Sequence, residues 1–191
     1  MALTNETIER AAQELLRTAG ALSVPVDLAK VAESIGVKIH EEELEDQVSG
    51  VLLVKGDERH VLVNQAHHPN RKRFSIAHEL GHLRLHDGDG DRIFIDTQMR
   101  VYQRVGEPTA AVYQDPGSTT TPLEERQANM FAAALLMPAP LLAHAAFERD
   151  LWDELDVAAL AKAFAVSDQA MSIRLQQLRV VKPSFELNDD V

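Results

Sequence analysis

Three residues in the pattern His-Glu-x-x-His, namely His78, Glu79 and His82, have the types and spacing that hydrolytic chemistry requires. On an α-helix, side chains four residues apart project from one face, so both histidines can bind the same metal ion. Glu79 lies one residue further round, where its carboxylate can act on a water molecule at the metal without ligating the metal. The pattern therefore predicts a zinc site with a built-in base.

The third metal ligand is predicted to come from outside this helix. His86 continues the four-residue spacing, but on a straight helix it lies about 12 Å along the axis from His78. A bond between zinc and an imidazole nitrogen is only about 2 Å long. His86 is therefore expected to support the site indirectly or to end the helix.

A later helix, predicted over residues 123–137, offers the missing ligand. Glu125 and Asn129 lie one turn apart on one face, so Glu125 can bind the metal while Asn129 hydrogen-bonds a metal-ligating histidine. Glu124 is the competing ligand, but the residue one turn after it is Ala128, whose methyl group offers no such hydrogen bond. Glu125 is the preferred ligand, and an ordinary helix with an acidic first turn remains the alternative interpretation.

The preceding segments must position these two helices. Apolar residues recur at helical spacing over residues 6–17, and Asp27 is predicted to cap a short helix over residues 28–35. Three strand-like segments follow at 37–40, 49–55 and 60–64, the last two joined by a turn at 56–58. Asn70 is predicted to cap the helix that carries the motif. The basic residues 71–73 in its first turn are interpreted as a solvated turn rather than a site for an acidic partner.

Composition limits the classes of protein that the chain can represent. It has 191 residues, 45% of them hydrophobic, with a formal net charge of −11 and no cysteine. A net negative charge disfavours a dedicated nucleic-acid-binding protein, and the lack of cysteine excludes disulfides and thiolate metal sites. Neither a signal peptide nor a membrane-spanning run is recognisable, so a soluble, cytoplasmic protein without membrane association is expected.

Residues 157–178 have the pattern of a helix, a short turn and a second helix capped by Ser167, which resembles a helix-turn-helix. The second helix offers only Arg174 and Arg179 as cations, against Asp168, so DNA binding is not expected and packing or partner docking is preferred. We therefore divide the chain into a zinc metallopeptidase domain (1–150), a helical extension (151–182) and an acidic tail (183–191). The acidic loop at 87–91 lacks the glycine and glutamate that a calcium loop requires.

The two motifs together, residues 73–86 and residues 125–138, resemble the ImmA/IrrE family of metallopeptidases. The resemblance extends over about residues 5–145 and implies an α+β fold, with a small antiparallel sheet packed on helices that bear a thermolysin-like zinc site. It further implies that His78, His82 and Glu125 bind zinc and that Glu79 is the catalytic base. Members of the family typically cleave or inactivate a helix-turn-helix repressor, in stress responses, mobile elements or toxin–antitoxin-like pairs.

Three further points concern the oxyanion group, the substrate and a rival function. The group that stabilises the oxyanion beside zinc has three candidates, Tyr102, Tyr113 and His144. A substrate is expected to add as an extended strand to an exposed edge in the hairpin 50–64. The rival function is a non-proteolytic regulator that binds or sequesters a repressor, or binds DNA, and has kept its metal site; Glu79 disfavours a purely structural site, which has no use for a base.

Overall fold

A computed structural model describes residues 3–86, 91–97, 120–147 and 149–179. Within these ranges the protein has an α+β fold with seven helices and one four-stranded sheet, and the predicted fold class is confirmed at that level. The elements in chain order are α1 (Asn5–Thr18), α2 (Leu28–Ser34), β1 (Val37–Glu42), β2 (Val48–Lys55), β3 (Glu58–Asn64), α3 (Pro69–Leu85), β4 (Arg92–Thr97), α4 (Pro122–Leu136), α5 (Ala139–Ala146), α6 (Glu154–Phe164) and α7 (Asp168–Gln177).

The sheet is mixed rather than antiparallel, which corrects the prediction. Its strand order is β1-β3-β2-β4, with β1 parallel to β3 and the other two pairs antiparallel. The expected hairpin joins β2 and β3, but each of these strands has a neighbour on both sides. The expectation of an exposed edge within the hairpin is therefore wrong, and in the described part of the sheet the outer strands are β1 and β4.

The helix that carries the histidines begins earlier than predicted. His68, not Asn70, is the N-cap of α3, and its ring Nδ1 accepts a hydrogen bond from the backbone N–H of Asn70 at 3.2 Å. Pro69 follows at the first helical position, where its fixed φ and missing N–H are favourable. The Asn70 side chain instead donates to the backbone carbonyl of Val166 at 2.9 Å, which links the start of α3 to the turn between α6 and α7.

The three cations in the first turn of α3 are bound within the protein. Arg71 donates to the Ser49 hydroxyl at 2.8 Å, and Arg73 donates to the backbone carbonyl of Val26 at 2.8 Å. Lys72 pairs with a glutamate of β1 at 2.6 Å. Burial lowers the pKa of the Arg73 guanidinium, and the charge of Asp27 opposes that shift. These cations tie α3 to the strands and loops before it, and Arg71 stays exposed, so the first turn is only in part the solvated turn that was expected.

The C-terminal helices contribute to the same hydrophobic core as α1, α3 and α4. Leu160 and Phe164 of α6 and Met171 of α7 are buried in it. Ser167 caps α7 as predicted, with its hydroxyl accepting from the backbone N–H of Ala170 at 3.2 Å. The helix-turn-helix interpretation and the domain division at residue 150 remain predictions.

Some predicted features lie outside the described residues. They are most of the acidic loop at 87–91, the oxyanion candidates Tyr102 and Tyr113, and the acidic tail at 183–191. In the part of the chain that the structure describes, no single helix has the length and apolar composition to cross a membrane. The pair α4 and α5, bent by 51° at its break, meets those criteria only when the two helices are taken together.

Candidate metal centre

Close packing of α3 on α4 brings the two motifs together. At Gly81 of α3, a methyl group would lie 3.1 Å from the carbonyl oxygen of Ala128 and 3.2 Å from the ring of Phe131 on α4. Contacts this short would require α4 to move by a few tenths of an ångström, so glycine permits the close approach of the helices. His78 and His82 are buried on the face of α3 that results, as their four-residue spacing predicts.

Three side-chain groups converge between these helices. Nε2 of His78 lies 2.9 Å from Nε2 of His82. The carboxylate oxygens of Glu125 lie 3.3 Å from each of these nitrogens. The three residues offer ligand atoms within 4.8 Å of one another, and they form the one such group of three or more found in the described ranges.

The donor set fits a tetrahedral metal ion. Zinc–nitrogen and zinc–oxygen bonds of about 2.0–2.2 Å in tetrahedral geometry place ligand atoms roughly 3.3–3.5 Å apart. The two imidazole nitrogens lie 2.9 Å apart, and each lies 3.3 Å from a different oxygen of Glu125, Oε2 for His78 and Oε1 for His82. Two imidazole nitrogens and one carboxylate oxygen are also the ligand types that borderline-soft divalent ions prefer. The residues therefore suit a metal ion, with small adjustments of the histidines and of the Glu125 carboxylate.

Asn129 fixes the orientation and tautomer of one histidine ring. Its side-chain oxygen lies 3.0 Å from Nδ1 of His78. Because a carbonyl oxygen can only accept, Nδ1 of His78 carries the proton, and Nε2 of the neutral ring presents its lone pair to the centre. The contact is the one that the spacing of Glu125 and Asn129 led us to expect.

Electrostatics hold this site in the protonation state that metal binding requires. Burial is the main influence on His82 and lowers the pKa of its imidazole, although Glu125 opposes the shift. The ring is therefore neutral near pH 7. Burial alone would raise the pKa of the Glu125 carboxyl, but the hydrogen bonds and positive charge that His78 and His82 offer when protonated hold that pKa well below its usual range. Thr120 adds a hydrogen bond to the same carboxylate.

Glu79 is buried on α3 and packs against the sheet beside the histidines. The contact is with Gly50 of β2, where a methyl group would lie 2.9 Å from Oε1 and 3.4 Å from Cγ of Glu79. The strand next to the site thus leaves a space the size of one methyl group, and the Glu79 side chain fills it. Gly50 was not singled out in the sequence, because nothing in its neighbourhood there reveals the contact.

The two competing ligands have other roles in the structure. Glu124 forms a capping box with Thr121: its carboxylate accepts from the backbone N–H of Thr121 at 2.7 Å, and its own N–H donates to the Thr121 hydroxyl at 3.3 Å. His86 ends α3, and its Nε2 donates to the backbone carbonyl of Glu124 at 3.2 Å. His86 is thus a helix-end residue that also joins α3 to α4, in agreement with the distance argument.

β4 adds an aromatic wall that was not predicted. The ring of Phe94 stacks on the ring of His82, with centroids 5.4 Å apart and an angle of 14°. The Ile-Phe-Ile run around Phe94 is a strand signal that could have indicated this element. His144, the third oxyanion candidate, lies on α5 and lines a surface cavity with Ala145 and Phe147. Its role as an oxyanion group stays a prediction.

An α+β fold in which two packed helices present two histidines and a glutamate around a potential metal position is compatible with a metal-dependent hydrolase. The model of one family, Peptidase_M78 (IrrE N-terminal-like domain), matches residues 32–176. The chain therefore belongs to this family, its function is of the metallopeptidase type, and the resemblance to ImmA/IrrE proteins is confirmed. The comparison with curated proteins gives no match.

Proposed function

We propose that the chain is a zinc-dependent endopeptidase that cleaves a helix-turn-helix repressor or an antitoxin-like partner and thereby regulates transcription. The observation that carries the proposal is the convergence of His78, His82 and Glu125 within 4.8 Å, with Glu79 buried on the same helix as both histidines. Membership of a metallopeptidase family supports the hydrolytic chemistry. The identity of the metal as zinc and the identity of the partner go beyond what family membership gives, and they are this proposal's own.

The openness of the site supports catalysis over a structural role for the metal. Structural zinc sites are closed by four protein ligands, whereas catalytic sites have three and leave a position for water or substrate. In residues 3–86, 91–97, 120–147 and 149–179, three candidate ligands gather at this point. The Glu125 side chain is 36% exposed while both histidines are buried, so this centre opens to solvent on the side of α4.

The chain's own groups have distinct roles in this mechanism. A bound zinc ion supplies Lewis acidity, which polarises a peptide carbonyl and lowers the pKa of water. His78, His82 and Glu125 hold the ion, and Asn129 keeps His78 in the ligating tautomer. Glu79 accepts the proton of the attacking water and delivers it to the nitrogen of the leaving amine. The contact with Gly50 keeps the Glu79 carboxylate in place for both transfers.

β4 replaces the β2–β3 hairpin as the strand proposed to receive the substrate. It is an outer strand of the described sheet, and its Phe94 contacts the ring of His82. A substrate segment in extended conformation that aligns with β4 would bring a peptide carbonyl close to the centre. Such pairing is largely independent of side chains, so recognition of one partner needs an additional contact elsewhere.

One contact of α7 supports a protein partner over DNA. The side chain of Arg174 is buried, forms a bidentate ion pair with Glu9 of α1, and donates from Nε to the backbone carbonyl of Met137 at 3.1 Å. It is therefore committed to the fold. The second helix of the predicted helix-turn-helix has only two cations, Arg174 and Arg179, and these contacts make Arg174 unavailable to DNA. Phosphate binding normally needs several cations, so DNA binding is disfavoured.

The proposal is tested with purified protein and a candidate helix-turn-helix repressor encoded by an adjacent gene. We expect about one zinc per chain, cleavage of the repressor, and loss of cleavage on chelation. Glu79→Gln should keep the zinc and the fold but lose cleavage, because an amide cannot accept the proton. Cleavage by Glu79→Gln at the unchanged rate would overturn the mechanism. An unchanged transcriptional effect of this variant would favour sequestration of the repressor.

A further inference from the structure

Three large apolar side chains are exposed between the end of α5 and the first turn of α6. Phe147, Leu155 and Trp152 are 85%, 79% and 64% exposed, the three highest values for large apolar side chains in the described residues. All three fall within nine positions of the chain. We call these three residues the Trp152 patch. Grouped exposure of this kind marks an interaction surface more often than scattered apolar residues do.

The segment that carries the patch is held by its own hydrogen bonds. The carboxylate of Asp156 accepts from the Arg149 side chain at 3.1 Å and from the backbone N–H of Asp150 at 2.9 Å. Asp150 accepts from the backbone N–H of Trp152 at 3.0 Å, and Asp153 caps α6 by accepting from the N–H of Leu155 at 2.9 Å. These bonds give Asp150, Asp153 and Asp156 a structural role in the segment. They do not explain why large apolar side chains face solvent.

A recess lies next to the patch. Its volume is about 410 Å³, and it is lined by His144, Ala145, Phe147, Arg149 and Asp156. The methyl group of Ala145 and the ring of Phe147 provide apolar wall, and the ion pair of Arg149 and Asp156 provides a polar one. A partner side chain with an apolar stem and a polar end can therefore enter beside Phe147.

The charge around the patch specifies the partner's chemistry. The sequence from residue 147 to residue 156 contains five acidic residues and one arginine. Asp150, Asp153 and Glu154 are exposed on it. Anionic lipids and nucleic-acid phosphates are repelled by such a rim, whereas lysine and arginine side chains are attracted.

We propose that the Trp152 patch and its acidic rim dock a cationic amphipathic segment of a partner protein. Apolar side chains of the segment cover Phe147, Trp152 and Leu155, while its lysines or arginines face Asp150 and Glu154. The inference rests on the proposed function in taking that partner to be the substrate. Proteins that bind DNA have basic faces of this kind, and a partner held here by such a face cannot bind DNA with it at the same time.

Trp152 is the only tryptophan of the chain, so its fluorescence reports directly on the patch. The probe is a synthetic helical peptide of lysine and leucine with the leucines on one face. The full chain carrying Glu79→Gln is used, so that the probe is not cut. We expect a saturable blue shift of Trp152 emission and an affinity that falls with salt. Matched peptides with glutamate for lysine, or serine for leucine, should cause no shift.

Two sets of substitutions separate the apolar and charged contributions. Phe147→Ser with Leu155→Ser removes apolar contact and keeps the reporter. Asp150→Asn, Asp153→Asn and Glu154→Gln remove three charges, while the amide oxygens of the two asparagines can still accept the hydrogen bonds that order the turn. Each set should weaken binding of the lysine–leucine peptide by about tenfold or more.

Matched controls make the result specific to this surface. Leu22→Ser removes an exposed apolar side chain elsewhere. Glu6→Gln, Glu33→Gln and Glu43→Gln remove the same number of exposed charges from other parts of the chain. Both controls should bind the peptide as the parent does. Equal binding by the patch variants and the parent overturns the proposal, and so does a blue-shifted emission that depends on protein concentration without peptide, because the patch would then join two copies of the chain.

The cleavage assay distinguishes failure of this proposal from failure of the proposed function. On the active chain, the patch variants should cleave an unstructured peptide spanning the scissile bond at the parent rate and the folded repressor at least about tenfold more slowly. Unchanged cleavage of the folded repressor overturns the docking surface alone. Absence of metal-dependent cleavage in the parent, with the peptide still bound at the patch, overturns the peptidase function alone.

Discussion

Gly50→Ala is expected to disable Glu79 while leaving the metal site in place. The added methyl group would lie 2.9 Å from Oε1 of Glu79, which is 0.5 Å short of the 3.4 Å at which ordinary contact begins. The same methyl would touch Cβ of Ser75 at 3.5 Å, so it cannot move away in that direction. Since Glu79 is fully buried, its carboxylate must shift by roughly half an ångström or more.

The expected magnitudes follow from that shift. Misplacing a catalytic group by about 1 Å can cost roughly 100-fold in rate, so Gly50→Ala should lower kcat by about 10- to 100-fold. Overpacking costs about 1–3 kcal/mol, and replacing a strand glycine by alanine recovers about 0.5–1 kcal/mol of it. The unfolding free energy should thus fall by no more than about 2.5 kcal/mol.

Three measurements on one preparation check this prediction: zinc content, the rate of repressor cleavage at saturation, and a denaturant melt. The prediction is that zinc stays at about one per chain while kcat falls. A Gly50→Ala variant with full zinc and an undiminished kcat would refute the reasoning, because the carboxylate of Glu79 would then not need the position in which the structure holds it.

Four further substitutions separate the metal ligands from the groups that support them. Gly81→Ala should push α4 away from α3, so that zinc content falls and the free energy of unfolding falls by about 1–3 kcal/mol. Glu125→Ala should abolish stoichiometric zinc binding, whereas Glu124→Gln should keep the zinc and cost about 1 kcal/mol or less through the weakened capping box. Asn129→Ala should weaken zinc affinity by about 10- to 100-fold in a chelator competition, with little change in the denaturant melt.

Local features of this fold follow from the sequence more closely than long-range features do. Helical spacing located the two metal-bearing helices, and the four-residue separations of His78 from His82 and of Glu125 from Asn129 gave the faces on which these residues meet. Glu124 was harder to exclude as a metal ligand from the spacing of residues alone. Its capping box with Thr121 depends on where the helix begins, and the sequence predicted that start one residue late.

The sheet shows why the rest could not be predicted. Alternating apolar residues define β2 and β3 but do not say that β1 aligns parallel to β3, because strand pairing is decided by distant contacts. The contact of Gly50 with Glu79 is invisible for the same reason, since 29 positions of sequence separate two residues that touch. His68 capped α3 in place of Asn70 because Pro69 is favourable at the first helical position.

The C-terminal helices are joined to both metal-bearing helices by hydrogen bonds from a side chain to a backbone carbonyl. Asn70, in the first turn of α3, donates to Val166 before α7, and Arg174 of α7 donates to Met137 at the end of α4. Removing residues from about 156 onward would break both contacts and uncover the part of the core against which Leu160, Phe164 and Met171 pack. A truncation would therefore mix loss of docking with loss of the site. Substitutions on the exposed side of the segment, at Leu155 and its neighbours, leave both contacts intact and can separate recognition of a partner from the integrity of the metal centre.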